Sequence, residues 1–94
     1  MLTVTKKAAA FLKVAKAAEG ATRGVGIRLR RDSIPDESGR PSVRFTFSAE
    51  PAPDDWEFEQ QGLRIFVEGV LVEPLDGRTL DVRDANDGLQ LVFR

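Results

Sequence analysis

The 94 residues carry 41% hydrophobic and 31% charged side chains with a net charge of −1, ordinary globular usage that excludes disordered and fibrous classes. Neither cysteine nor histidine occurs, which removes disulfides, the thiolate and imidazole ligands of zinc, copper, haem and iron–sulfur sites, and histidine-dependent catalytic triads. The length suits a single domain over residues 1–94, no cleavable leader pattern opens the chain, and no apolar run approaches the ~20 residues of a bilayer span, so a cytoplasmic protein without membrane contact is expected.

In chain order, Thr5 is placed to cap a helix from Lys6 to about Glu19, its hydroxyl accepting from a free N–H of the first turn, and Gly20 supplies the stop. At 100° per residue Ala8, Phe11, Leu12, Ala15 and Ala18 share one side and Lys6, Lys13 and Lys16 the other. Such a thin, alanine-rich face suits close approach to a sheet. The lysine face reads as a solvated surface, with docking of an acidic partner as the alternative.

After the Gly20 to Gly26 link the period changes from 3.6 to two. Ile27 and Leu29 alternate with Arg28 and Arg30, and Val43, Phe45 and Phe47 with Arg44 and Thr46, the pattern of half-buried strands. Between them lies a polar loop from Asp32 to Pro41, and Ala49 to Asp55 is a second. Trp56 and Phe58 alternate with Glu57 and Glu59, Gln61-Gly62 offers a turn, and Leu63, Ile65 and Val67 form the next inward set, so a hairpin is expected. Pro74 argues against a long element between Glu68 and Leu75, where one helical turn is expected. Asp76-Gly77 and Asp87-Gly88 are turn signals ahead of strands through Leu80 and Val82 and through Leu89, Leu91 and Phe93. One helix followed by about six short strands results.

Charge is unevenly spread along this plan. Eight basic residues against Glu19 precede Asp32, and from Asp32 to Gly62 eight acidic residues face Arg40 and Arg44. Mutual neutralisation in the fold is the simplest outcome. Arg28, Arg30 and Arg44 can form a basic strip on one sheet face, but no aromatic interleaves with it as single-stranded nucleic-acid binding requires, so no nucleic-acid partner is expected. Trp56 is either an edge residue capping the sheet or an anchor for a partner.

Leu2-Thr-Val-Thr5 before the alanine-rich helix, Gly26-Ile-Arg-Leu29, Phe45-Thr-Phe47, Phe58-Glu-Gln-Gln-Gly62, Leu75-Asp-Gly-Arg-Thr-Leu-Asp81 and the apolar alternation after Gly88 together resemble the HesB-like, or A-type, iron–sulfur carrier family. That resemblance covers nearly the whole chain. It implies an α+β fold, a mostly antiparallel, sandwich-like sheet with one N-terminal helix, and in the family an iron or cluster site held between subunits by three cysteines. The first of these, in a Cys-Ser-Gly loop, corresponds here to Glu37-Ser-Gly39, and the sequence stops at Arg94, before the position at which the resemblance would put the Cys-x-Cys pair.

A lone carboxylate does not replace three soft thiolates. No cofactor and no cluster are therefore expected. The carboxylates of Asp32, Asp36 and Glu37 are the candidate ligands for a hard cation, against the plainer reading of a solvated loop, because the Asp-x-Asp-x-Asp-Gly spacing of a calcium loop is absent. Asp54 with Asp55, and Asp81 with Asp84, sit beside turns as cap residues rather than as an acid–base pair. No phosphate loop or nucleophile elbow is present. The reading is a non-enzymatic HesB-like protein that interacts with a protein partner or with itself, accessory to iron–sulfur metabolism. Weak hard-cation binding through the 32–41 loop is the alternative.

Overall fold

A computed structural model describes residues 1–20, 24–32, 43–86 and 88–94. Strand β1 (Thr3–Val4) leads into helix α1 (Lys6–Ala18), capped by Thr5, whose hydroxyl accepts from Ala8 N at 3.1 Å. Gly20 ends the helix at φ +74° with its N–H on Ala17 O, a left-handed conformation that favours glycine. Then come β2 (Gly26–Arg31), β3 (Val43–Ser48), β4 (Asp55–Gln60) and β5 (Leu63–Glu68), followed by helix α2 (Gly69–Leu75), β6 (Thr79–Ala85) and β7 (Gly88–Phe93).

The strands form two sheets, one of three in the order β1-β6-β7 and one of four in the order β3-β2-β5-β4. The β2–β3, β4–β5 and β6–β7 pairs are antiparallel, whereas β1–β6 and β2–β5 are parallel. Each antiparallel pair comes from neighbouring segments; the parallel pairs join segments distant in sequence. The expected hairpin turn at Gln61-Gly62 is present, with φ +54° and +76°, the double positive φ that matches strand twist in a two-residue hairpin.

Two expectations need correction. The described residues form two helices rather than one, because α2 extends the expected single turn to seven residues. Leu71 and Leu75, one helical repeat apart, are both buried, and Pro74 lies one residue from the end of the helix, where its missing N–H forgoes only a terminal bond. The core is shared by α1 (Ala8, Ala9, Leu12), β2 (Ile27, Leu29), β5 (Leu63, Ile65, Val67), α2 and β6 (Leu80, Val82). Small residues on α1 let it lie close to β6, and Thr5 Oγ1 donates to Asp81 Oδ1 at 2.9 Å, tying the helix start to that strand.

The second correction concerns Gly26, which the sequence pattern places at the end of the link from Gly20 to Gly26. A Cβ there would sit 2.8 Å from Phe66 Cε2 and 2.9 Å from the Arg64 carbonyl oxygen. Gly26 is a close-approach residue inside a central strand. Phe66 points to the outer face of the four-stranded sheet yet is 0% exposed, with the Arg64 guanidinium 5.0 Å from its ring centroid. The connection from β3 to β4 spans the sheet from one edge strand to the other, since these strands are its two edges. It is pinned by Arg64 Nη1 donating to Ala49 O at 3.4 Å, by Gly69 N donating to Asp54 O at 3.0 Å, and by Asp55.

Candidate functional site

Asp32 is the one member of the carboxylate set that the structure describes; Asp36 and Glu37 lie outside the described residues. Asp32 follows β2, and Arg44 Nη2 donates to its Oδ1 at 3.3 Å. An engaged carboxylate beside a cation is a poor start for a metal site, since the guanidinium repels the ion and occupies the donor. Among the described residues no group of three carboxylate, histidine or cysteine side chains is arranged to hold a metal.

The same end of the four-stranded sheet receives the end of β7. Phe45 and Phe93 stack with centroids 6.0 Å apart, so β3 and the end of β7 are neighbours in the fold. Arg94 Nη2 lies 3.1 Å from Asp81 Oδ2. The Asp81 carboxyl is held below the usual carboxylate range, chiefly by the N–H of Val82, then by Thr5, against an upward push from desolvation that exceeds the smaller downward effects of Arg94 and Lys7 taken singly. It is fixed as an anion in a structural tie rather than poised for proton transfer.

The expected basic strip is quenched. Arg30 and Arg44 face each other across the β2–β3 pair, with Arg28 two residues along on the same face. Arg30 Nε meets Glu68 Oε2 at 3.1 Å and Arg28 Nε meets Asp55 Oδ2 at 2.9 Å. The Arg28 contact is an ion pair in which Nε has no well-aimed hydrogen bond. Asp55, expected as a turn or cap carboxylate, also accepts from Ala52 N at 2.7 Å and its side chain is fully buried.

One concave site has no internal use. A cleft of about 550 Å³ is walled by Trp56 and Phe58 of β4, Val67 of β5, Val72 and Leu75 of α2, and Leu2, with Glu57, Glu73 and Asp76 on its rim. Pairing of Trp56 with Val67 puts the indole on the core-side face, alongside Leu29 and Phe45 across the sheet. Because β4 is an edge strand, no further described strand pairs with it on that side, and Trp56 remains 64% exposed. Val70, on the outward side of α2, is 58% exposed and extends the apolar surface. Asp76 pairs with the ammonium of Met1, which also lines the cleft; Glu57 turns to the outer face with its cross-strand neighbour Phe66 and pairs with Arg64 at 2.9 Å; Glu73 makes no ion pair among the described residues.

Gln60, unremarked in the sequence, ties the two sheets together. Its side-chain amide accepts from Val4 N at 2.7 Å and donates to Leu2 O at 2.5 Å, imitating strand pairing between β1 and the end of β4. The inward phase of Trp56, Phe58 and Gln60 was the available signal, since a polar residue in an inward position has to find partners.

A crystal structure of IscA with the [2Fe-2S] cluster superimposes with a TM-score of 0.73, at 23% identity over 100% of this chain and 84% of that one. Escherichia coli SufA, described as involved in biosynthesis of iron–sulfur clusters, gives 0.74, at 24% identity over 99% and 83%. The chain has the IscA-like fold. A solution structure of a protein from Aquifex aeolicus gives 0.77, at 19% identity over 99% and 89%. No protein-family model matches the sequence, and no curated protein sequence matches it. On the IscA-like fold the donor set does not fit an iron–sulfur cluster, because the 94 residues contain no thiolate or imidazole and Asp32 is engaged by a guanidinium. No helix is long and apolar enough to cross a membrane among the described residues.

Proposed function

We propose that this chain is a non-enzymatic protein of the IscA-like fold that works by protein–protein contact, accessory to iron–sulfur cluster metabolism and not itself a cluster carrier. The observation that carries this reading is the pairing of an IscA-like fold, at TM-scores of 0.73 to 0.77, with a sequence free of cysteine and histidine. Among the described residues the carboxylates of Asp55 and Asp81 are both held in structural ties, which supports a non-enzymatic role, and the exposed Trp56 cleft supports a contact role. On the same reading residues 1–94 form one domain, its two sheets are sandwich-like layers around the shared core, and the protein works in the cytoplasm.

Anaerobic incubation with ferrous iron and sulfide, followed by desalting, metal analysis and visible absorption, tests this. Less than about one tenth of an iron per chain is the expected result, because no soft donors are present. Stoichiometric iron or a sulfide-to-iron charge-transfer band would remove the interaction-only reading. Iron without sulfide, lost on Glu37→Ala, would instead favour the hard-cation alternative at Asp32, Asp36 and Glu37.

A further inference from the structure

Among the described residues β1 and β7 are the edges of one sheet, and β3 and β4 the edges of the other. An edge strand presents unpaired N–H and C=O groups, and proteins guard such strands by short length, charge or cover. β1 is two residues long and its Val4 N donates to the Gln60 side chain. β3 carries Arg44, and β4 carries Asp55, Glu57 and Glu59. β7 has none of these guards. It reads Gly-Leu-Gln-Leu-Val-Phe, six residues without charge or proline.

The direction of its backbone groups follows from the residue next to it. Arg94 and Thr79 exchange both bonds, at 2.8 and 3.1 Å. Bonded pairs alternate along an antiparallel ladder, so Val92, Gln90 and Gly88 turn their N–H and C=O toward Asp81, Arg83 and Ala85 of β6. Leu89, Leu91 and Phe93 therefore turn theirs outward, to the edge. Their side chains share the core-side face, opposite Asp84, Val82 and Leu80. Leu80 and Val82 are buried but Asp84 is exposed. The hairpin thus runs past the core, and Leu89 is left 47% exposed.

We propose that the edge of β7 pairs antiparallel with β7 of a second copy, about a twofold axis at Leu91, joining the two three-stranded sheets into one continuous sheet. Backbone register selects this occupant. With Leu91 opposite its own copy, Leu89 faces Phe93 of the second copy and Phe93 faces its Leu89, so every outward residue of the strand exchanges both bonds. A shift of two residues leaves Leu89 or Phe93 unmatched. A shift of one opposes outward groups with inward ones and sends the side chains to the wrong face.

The side chains agree with that register. Directly opposed residues bring their Cβ atoms to about 4.5–5.5 Å, so the exposed Leu89 gains the second copy's Phe93, whose ring is already fixed by stacking on Phe45. The same cover forms at both ends of the pair. On the outer face Gln90 meets Val92, and no like charges meet within the ladder. Such a contact is isologous and closes at two copies. A ladder of six residues is a small interface, of the weak class.

This rests on the contact reading of the chain and names the contact. A monomer without bound iron would overturn it and leave that reading in place, whereas stoichiometric iron would remove the reading whatever the state of association. The test uses the full chain. Sedimentation and light scattering from about 5 to 500 µM, a range suited to a small interface, should show mass rising to two chains and no further. Over the same range hydrogen exchange at Leu89, Leu91 and Phe93 should slow, while Gln90 and Val92, already bonded to β6, should not change.

Leu89→Lys sets a charge against Phe93 twice in each dimer and should weaken association about tenfold or more, with circular dichroism confirming that this exposed substitution leaves the fold intact. Register is read by cross-linking, which the absence of cysteine makes clean. Gln90→Cys and Val92→Cys face each other across the axis as a pair with Cα atoms about 4.5 Å apart, within disulfide reach. Under mild oxidation their mixture should therefore cross-link several-fold faster than either variant alone. A monomer throughout, growth beyond two copies, protection at Leu89, Leu91 and Phe93 that ignores concentration, association indifferent to Leu89→Lys, or a mixture that cross-links no faster than the single variants would each overturn the proposal.

Discussion

Replacing Gly26 by alanine tests the least expected feature of the sheet. The new methyl carbon would lie 2.8 and 2.9 Å from two carbons of the Phe66 ring and 2.9 Å from the Arg64 carbonyl oxygen, against the ~3.5–4.0 Å of comfortable carbon contact. Neither neighbour can withdraw easily. Phe66 is fully buried, and β2 is bonded on both sides, to β3 and β5. Overpacking of this kind costs about 1–3 kcal/mol, partly offset by about 0.5–1 kcal/mol from a stiffer unfolded chain.

A net loss centred on about 1 kcal/mol and no larger than about 2.5 kcal/mol follows, or a fall in Tm centred on about 4–8 °C at ~4–8 °C per kcal/mol for a domain of this size. Thermal and urea unfolding followed by far-ultraviolet circular dichroism measures it. In a Phe66→Leu background the ring overlap disappears while the carbonyl overlap stays, so Gly26→Ala should cost less there, with a coupling of about 0.5–2 kcal/mol. Gly24→Ala is the control. Gly24 has φ +92° and nothing within 4 Å of a Cβ, so its cost is backbone strain and should be the same with either residue at 66. An unchanged or raised Tm for Gly26→Ala, or an identical cost in both backgrounds, would refute the close-approach account.

Two further outcomes follow from the ion pairs. Asp55→Ala should destabilise the fold by about 3–5 kcal/mol in urea unfolding, because it leaves Arg28, which is nearly as enclosed, without its counter-charge and frees Ala52 N; Asp54→Ala, on an exposed side chain, should change stability by less than about 0.5 kcal/mol. Asp81 has its folded-state pKa lowered, so its stabilising contribution is present above the unfolded value, about 3.9, and is lost as pH falls through the lower folded value. Asp81→Asn should therefore flatten the decline of Tm below about pH 4, and an acid limb unchanged by the substitution would show that Asp81 is not a source of it.

The candidate site divides along a physical line. Asp32, Arg28 and Trp56 are visible in the sequence as a loop carboxylate, an outward guanidinium and a lone tryptophan, but their partners are not. Arg28 and Asp55 meet because the β3–β4 connection traverses the sheet, and Asp32 is engaged because Arg44 stands nearby across the β2–β3 pair. Trp56 has the alternation of a core residue and is exposed because β4 is at the edge of the sheet. Pattern states which face a side chain takes; it does not state whether anything lies against that face.

What the sequence determined by itself was local. The Thr5 cap, the α1 face, the Gln61-Gly62 turn and the alternating strands rest on interactions within a few residues, where backbone geometry and side-chain period act directly. The absence of cysteine and histidine likewise bounds the chemistry without any structure. The tertiary structure alone decided the parallel β2–β5 and β1–β6 pairings, the burial of Phe66 beneath Arg64 and beside Gly26, the Gln60 tie and the exposure of Trp56. Each of these depends on which distant segments pack together, and the shared burial of the whole core fixes that choice, not the propensity of any one segment.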